Sequence, residues 1–338
     1  MLKAVVIDRS YGSGTGEELE KIARAYAKAG LELVIRDEST EDGIIEACRG
    51  AYAMLMEGNP PVTRRVLSSL PELKFIQRFG IGFNSIDTEA ATEHGKIVLN
   101  LQGFCVQELA DLATAMIMGL IRNVCFYDRN VRSGNWLRGK HLRPANVRNM
   151  TLGLYGFGAA AKCLYPIFKN GFGTRILACD PYVPENAKAR YDVEFVTFDE
   201  LIAESDIISL HAPLTEETYH IFNRDVFRRM KNTAMIINTA RGALIDEDAL
   251  IWALRTGEIT YAGLDTFERE PLPADSPLAR MDNVILNPHS GFYGRDSKKR
   301  QIETICSLVP DALTKGVLPL RNVVNKAVLK NGTPYALV

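Results

Sequence analysis

Paired cysteines are missing from this sequence of 338 residues. Cys48, Cys105, Cys125, Cys163, Cys179 and Cys306 form no CxxC and show no paired spacing. That argues against a disulfide framework or a zinc site, leaves no metal to expect, and fits a reducing cytoplasm. Charge of one sign is also lacking. The 40 Lys and Arg are balanced by 41 Asp and Glu, and the pI is about 6.6. Such a chain has no long-range pull on nucleic acid or on an anionic membrane, so neither is an expected partner. The short basic clusters Arg228-Arg229 and Lys298-Lys299-Arg300 read as solvated helix faces. No apolar run approaches the roughly 18 residues of a membrane helix. The longest candidate, Leu109 to Ile121, is interrupted by Asp111 and Thr114. The N-terminus reaches Asp8 after only four apolar residues, so it reads as a first β-strand and not as a signal peptide. Low-complexity segments are absent, and a hydrophobic content of 46% excludes disorder.

What is present is an alternation of short apolar runs with helical patterns. Lys3–Ile7, Leu31–Ile35, Ala51–Met56, Leu73–Gln77 and Lys96–Asn100 read as strands, and Glu17–Ala29 reads as a helix. One long apolar helix is expected over Phe104–Asn123, followed by a looser stretch with Gly134, Gly139 and Pro144. A second series of strands follows: Thr151–Tyr155, Arg175–Cys179, Ile207–Leu210, Ala234–Asn238, Tyr261–Leu264 and Val284–Leu286. Gly294–Lys315 is helical again. Strands separated by helices require crossovers and hence parallel sheets, here in two α/β domains of the same kind. The helix near 104–123 would carry the chain from one domain to the other, and the last helix would return to the first.

Two glycine-rich turns compete for a nucleotide. The first is Gly12-Ser13-Gly14-Thr15-Gly16-Glu17, and the second is Gly156-Phe157-Gly158-Ala159-Ala160-Ala161. A strand–turn–helix of this kind binds pyrophosphate through backbone N–H groups and the helix dipole. The third small residue of the fingerprint, which lets helix and strand pack closely, is Ala161 in the second turn and the bulky, negative Glu17 in the first. Arg9, Ser10 and Tyr11 also separate the first strand from its glycines. Asp180 ends the strand after the second turn, 22 residues beyond Gly158, where an acid would accept from the adenosine ribose hydroxyls. The first turn also has an acid downstream, Asp37, so that test alone does not decide. Spacing and chemistry favour the second turn. A carboxylate at Asp180 would also repel a 2′-phosphate, so NAD is expected and not NADP.

Ligands of open parallel sheets sit beyond the C-terminal ends of the strands. There the sequence places His211-Ala212-Pro213, Thr239-Ala240-Arg241-Gly242, Asp265 with Glu270-Pro271, and Asn287-Pro288-His289. Taken singly, Arg241 reads as a surface or ion-pair arginine and Glu270 as a solvated loop acid. Together, Arg241, Glu270 and His289 on successive strand ends form a workable redox set.

Leu152–Gly158, His211-Ala212-Pro213-Leu214-Thr215, Asn238–Gly242, Gly263–Leu272 and Asn287-Pro288-His289 resemble the signature motifs of the D-isomer-specific 2-hydroxyacid dehydrogenases. The resemblance covers nearly the whole chain. It implies a substrate domain built from both chain ends (1–100 plus 294–338) and an NAD-binding Rossmann domain between them (101–293), with the site in the cleft. The reaction would be hydride transfer between NAD(H) and a small 2-keto or 2-hydroxy acid. His289 would be the acid–base group, Glu270 would hold its imidazole by opposite charge, and Arg241 would polarise the carbonyl and bind the carboxylate. By position, Arg78 and the backbone N–H groups of Ile81 and Gly82 would secure the substrate carboxylate, and Phe292 would limit the pocket. Ala159 and Ala160 would present backbone to the pyrophosphate, and Asp265 would meet the nicotinamide amide. His211, Pro213, Thr239, Ala240 and Gly291 would complete the cofactor site with Gly156 and Gly158. The family resemblance also implies a homodimer, with the helix near Phe104–Asn123 as the contact.

Two positions depart from the family pattern. Ala159-Ala160 replace the usual Arg-Ile, removing a cation near the pyrophosphate. Glu57 stands where relatives acting on phosphorylated or dicarboxylic substrates tend to carry Arg or Ser. Phe104–Asp111 and the pair Phe292-Tyr293 resemble a subgroup that includes the C-terminal binding proteins. That leaves an alternative from another class: an NAD(H)-sensing regulatory protein with little turnover.

Overall fold

Parallel strands buried on both faces read as continuous apolar runs, and such runs fold here into two large all-parallel sheets. The first is built from β1 (Leu2–Asp8), β2 (Leu31–Ile35), β3 (Ala51–Met56), β4 (Phe75–Arg78) and β5 (Ile97–Leu99), in the order β2-β1-β3-β4-β5. The second comprises β6 (Thr151–Tyr155), β7 (Arg175–Cys179), β8 (Glu194–Phe195), β9 (Ile207–Leu210), β10 (Met235–Asn238), β11 (Tyr261–Leu264) and β12 (Val284–Leu286). Its order is β12-β11-β10-β9-β6-β7-β8. The computed structural model describes residues 1–9, 16–138, 146–331 and 334–338. Gly12 to Thr15 of the first glycine turn, and Gly139 and Pro144, lie outside the described residues.

The chain divides into two compact units, Met1–Phe104 with Arg295–Val338, and Cys105–Gly294. In the first unit, the returning helix Arg295–Lys315 packs on the helix Gly16–Lys28. Buried polar side chains fasten it. Tyr26 donates to Gln77 Oε1 at 3.0 Å, Gln77 donates to Ile305 O at 3.3 Å, and Gln301 donates to Phe79 O at 2.6 Å. The tail is fastened in the same way, with Asn325 accepting from Val98 N–H at 2.9 Å and Asn322 donating to Asn100 O at 2.7 Å. Each of these bonds satisfies a buried group that would otherwise cost about 1–3 kcal/mol.

In the second unit the helix Val106–Ile121 buries Ala110, Ala113, Met116, Ile117, Leu120 and Ile121 in the unit's own core. It ends two residues earlier than its apolar run predicts. Asn123 turns left-handed at φ 52°, accepts from Tyr261 Oη at 2.9 Å, and starts a second helix, Val124–Arg132, bent by 65° from the first. The helix belongs to the second unit, and it begins just past the point where the chain leaves the first. Leu109, Leu112 and Met118 on the same helix are only half-buried. No single helix among the described residues is long and apolar enough to cross a membrane.

Each sheet has one place where the chain reverses direction along the strand order: β1 beside β3 in the first, and β6 beside β9 in the second. Loops diverge there and leave a crevice at the C-terminal ends of the strands. The second glycine turn follows β6 at such a point.

Candidate active site

The glycine turn is shaped by two contacts. Gly156 takes φ +88°, and a Cβ on it would lie 2.7 Å from Ala212 N and 2.8 Å from the carbonyl carbon of His211. Only glycine lets this turn adopt its backbone and press against the end of β9. Gly158 caps the helix Ala159–Pro166, and a Cβ there would meet nothing within 4 Å. That leaves open room beside a helix end whose first N–H groups have no intrahelical partner. Ala161 is fully buried. Asp180 clamps the turn, with Oδ2 accepting the Phe157 N–H at 2.8 Å and Oδ1 the Tyr182 N–H at 2.9 Å. Open space, free donors and a carboxylate at the neighbouring strand end fit a dinucleotide.

Three further strand ends converge in the same unit. After β10, Asn238 folds the chain back, donating to Arg241 O at 2.8 Å and accepting the Ala240 N–H at 3.0 Å. Arg241 Nη1 donates to Ala240 O at 2.6 Å. After β11, Glu270 Oε1 accepts the Phe267 N–H at 3.0 Å, and its Oε2 lies 2.7 Å from His289 Nδ1. Burial pushes the Glu270 carboxyl up. The hydrogen bond and charge of His289, the Phe267 N–H and the Arg241 charge outweigh that and hold its pKa below the usual carboxylate value. The carboxylate assigns the proton on the near side of the ring to Nδ1.

His289 has a left-handed backbone, φ +51°. Such a conformation in a non-glycine residue is held by its surroundings, and Asp265 is what holds it. Asp265 is 1% exposed and accepts from Ser290 N–H at 2.8 Å, Gly291 N–H at 2.9 Å and Asn287 Nδ2 at 3.2 Å, while its carbonyl accepts the His289 N–H at 2.8 Å. Its side chain, expected at the nicotinamide amide, thus has the prior task of building the turn that presents His289. Gly291 is required there, since a Cβ would lie 2.8 Å from Asp265 Oδ2. Phe292 is half-buried and meets Tyr293 edge-on at 6.3 Å. Thr239 is buried, and Pro213 accepts from Thr218 Oγ1 at 2.8 Å.

His211 donates its N–H to Tyr155 O at 2.8 Å, joining β9 to β6, and its Nε2 lies 2.9 Å from Ser209 Oγ. Burial lowers its pKa from the usual 6.5 to about 4. The unfolded chain therefore takes up this proton first, and stability falls as pH drops from about 6.5 to about 4. The expected loss is about 2–3 kcal/mol, since each tenfold change in proton affinity is worth roughly 1.4 kcal/mol and partial exposure reduces the total. Urea midpoints at pH 7 and pH 5 should show a smaller drop for His211→Gln than for wild type. Equal drops would refute the assignment.

In the first unit, Arg78 is 5% exposed and donates through Nε to Gly82 O at 2.7 Å. Asn100 donates to Ile81 O at 2.7 Å, and Gly80 O accepts the Leu101 N–H at 3.0 Å. Every carbonyl of Gly80-Ile81-Gly82 is thus held, while among the described residues the N–H groups of Ile81 and Gly82 have no acceptor. Arg78 braces this loop from beneath. Glu57 is 4% exposed, so it does not point to water. Asp8, at the end of β1, accepts the N–H of Gly58, the residue that follows Glu57. The bracing roles of Asn238, Asp265 and Asn100 were not legible from spacing. The one sequence signal was that all three are small polar residues at or just beyond strand ends.

A parallel sheet with a glycine turn at its reversal point, and an Arg–Glu–His set on the adjoining strand ends, defines a dinucleotide-dependent oxidoreductase. Residues 114–291 match the model of the D-isomer specific 2-hydroxyacid dehydrogenase, NAD binding domain, and the chain belongs to that family. It is 37% identical to a glyoxylate reductase of Korarchaeum cryptofilum over 294 residues, covering 86% of this chain and 88% of that one. It is 35% identical to a hydroxypyruvate reductase of Thermotoga maritima, covering 86% and 94% of the two chains. A glyoxylate reductase crystal structure from Paecilomyes thermophila superposes with a TM-score of 0.85 at 27% identity, covering 96% of this chain and 98% of that one. The chain is an NAD-dependent D-2-hydroxyacid dehydrogenase acting on small 2-hydroxy or 2-keto acids. Such relatives do not favour the regulatory alternative.

Proposed function

We propose that this enzyme reduces small, singly charged 2-keto acids such as glyoxylate and hydroxypyruvate with NADH. The observation that carries the assignment of residues is the 2.7 Å pair of His289 Nδ1 and Glu270 Oε2 beside the charge of Arg241. When bound, the nicotinamide supplies the hydride chemistry. His289 Nε2 gives a proton to the keto oxygen in reduction and takes it back in oxidation. Glu270 fixes the ring and stabilises its charged form. Arg241 draws charge onto the carbonyl oxygen and binds the carboxylate. The N–H groups of Ile81 and Gly82, which have no acceptor among the described residues, are available to a carboxylate, with Arg78 keeping them aimed. Gly156, Gly158, Ala159 and Ala160 receive the pyrophosphate through backbone alone, which predicts weaker NAD binding than an arginine would give. Phe292 limits the substrate's distal end. We also read the enzyme as a cytoplasmic homodimer, supported by six cysteines that form no disulfide and by exposed Val124, Val131 and Trp136. Sedimentation as a monomer would refute the dimer.

Glu57 supports the restriction to singly charged substrates. A second carboxylate about 4 Å from Glu57 would be repelled by roughly 4 kcal/mol at an effective dielectric of 20, less with solvent present. Pyruvate should therefore be a better substrate than oxaloacetate, and Glu57→Gln should narrow the ratio of their kcat/KM values. A wild-type preference for oxaloacetate, or a ratio unmoved by the substitution, would overturn this.

A further inference from the structure

A second set of side chains ties together the loops that carry the catalytic residues. His220 has a left-handed backbone, φ +49°, and the Tyr219 ring stacks on its imidazole at 3.9 Å. The His220 N–H donates to Ala243 O at 2.8 Å. Its Nε2 lies 2.8 Å from Glu268 Oε1, at ion-pair distance but outside hydrogen-bond angles. The same Glu268 oxygen accepts the Glu247 N–H at 2.9 Å, and the Glu268 N–H reaches back to Glu247 Oε2 at 3.4 Å. Ala243 lies two residues after Arg241, and Glu268 two residues before Glu270. Between these loops a Cβ on Gly242 would fall 1.9 Å from the carbonyl carbon of Phe267, whose N–H holds Glu270 Oε1.

From this geometry we infer that His220 and Glu268 are positioning residues, setting the separation of Arg241 and Glu270 through a clip that touches neither substrate nor cofactor. The inference rests on reading Arg241 and Glu270 as catalytic. His220 spans from the Arg241 loop by its backbone to the Glu270 loop by its ring. Its strained φ persists only where surrounding contacts over-determine it. Glu247, at the start of the helix Glu247–Thr256, anchors the clip to regular structure. Burial and the Glu268 charge raise the Glu247 pKa against the lowering by the Glu268 N–H, as expected for carboxyls packed this closely. Removing the ring deletes one tie between the two loops and leaves the Gly242–Phe267 packing and the Glu247–Glu268 hydrogen bonds. A misplacement of about 1 Å between catalytic groups costs on the order of 10²-fold in rate.

The test compares His220→Ala, His220→Gln and Glu268→Gln with wild type, using NADH and glyoxylate, with Arg241→Lys as a control. The expected result for His220→Ala is a fall in kcat of about 10- to 100-fold with NADH affinity and melting temperature nearly unchanged. His220→Gln, which returns an N–H donor near the Nε2 position, should recover most of the loss. Glu268→Gln keeps volume and an acceptor for the Glu247 N–H, so it reads the pairing even if His220→Ala fails to fold. Unchanged kcat in the folded variants, or a loss in NADH affinity equal to that in kcat, would overturn the clip. If Arg241→Lys keeps full activity, the catalytic reading itself fails. If it loses activity while the clip variants do not, only the clip fails.

Discussion

His289→Ala is expected to lower kcat for glyoxylate reduction by about 10²–10⁴-fold while leaving NADH binding nearly unchanged. The split follows from which residues do which task. The glycine turn at Gly156 and Gly158 is clamped by Asp180, and none of those contacts involves His289. His289 instead faces Glu270 through Nδ1, and on the proposed reading its Nε2 carries the proton. Water would have to supply the proton in the variant, without a fixed geometry. Glu270→Gln should lie between wild type and His289→Ala, because an amide can still accept from Nδ1–H but carries no charge to stabilise an imidazolium. Single-turnover rates and NADH fluorescence titration separate the two quantities. Near wild-type turnover in His289→Ala would remove this residue from the mechanism, and a parallel loss of NADH binding would show that it acts through the cofactor site instead.

Much of the architecture was legible because both large sheets are parallel. Runs such as Ala51–Met56 and Val284–Leu286 are apolar without alternation, and turns or helical patterns bound them on both sides. β8 was not legible, since it has two residues and one is Glu194. The end of the helix Val106–Ile121 was missed for a different reason. Composition runs smoothly through Arg122 and Asn123, and what breaks the helix is a left-handed residue tied to Tyr261, a partner 138 positions away.

The chemistry of the site was legible where residue type constrains it, as with Arg241, Glu270 and His289 at strand ends. Orientation was not. Charge alone cannot say that Arg78 turns under its own loop to hold Gly82 O, or that Asp265 is occupied by the Ser290 and Gly291 N–H groups. Nor could it say whether Glu57 meets water, which burial decides. These facts depend on contacts between loops that only the folded sheets bring together.

The same limit shapes what can be expected of Asp180, where a preference for NADH over NADPH of at least about 100-fold in kcat/KM is predicted. A carboxylate offers about four lone-pair positions, and the structure spends two of them on the Phe157 and Tyr182 N–H groups. The remaining positions can accept from the ribose hydroxyls of NADH. A 2′-phosphate has no proton to offer there and brings further negative charge. At about 4 Å and an effective dielectric of 20, each added unit charge is repelled by roughly 4 kcal/mol before solvent relieves it. About 2.7 kcal/mol surviving that relief corresponds to the 100-fold preference. Asp180→Ala should lower kcat/KM for NADH and raise it for NADPH. The absolute NADH value also feels the lost clamp on the glycine turn, so the ratio of the two cofactors is the cleaner measure. Asp180→Asn removes the charge but keeps an acceptor for the Phe157 N–H, and should narrow the ratio with less damage to NADH turnover. Equal use of both cofactors by the wild type would show that another residue reads the ribose.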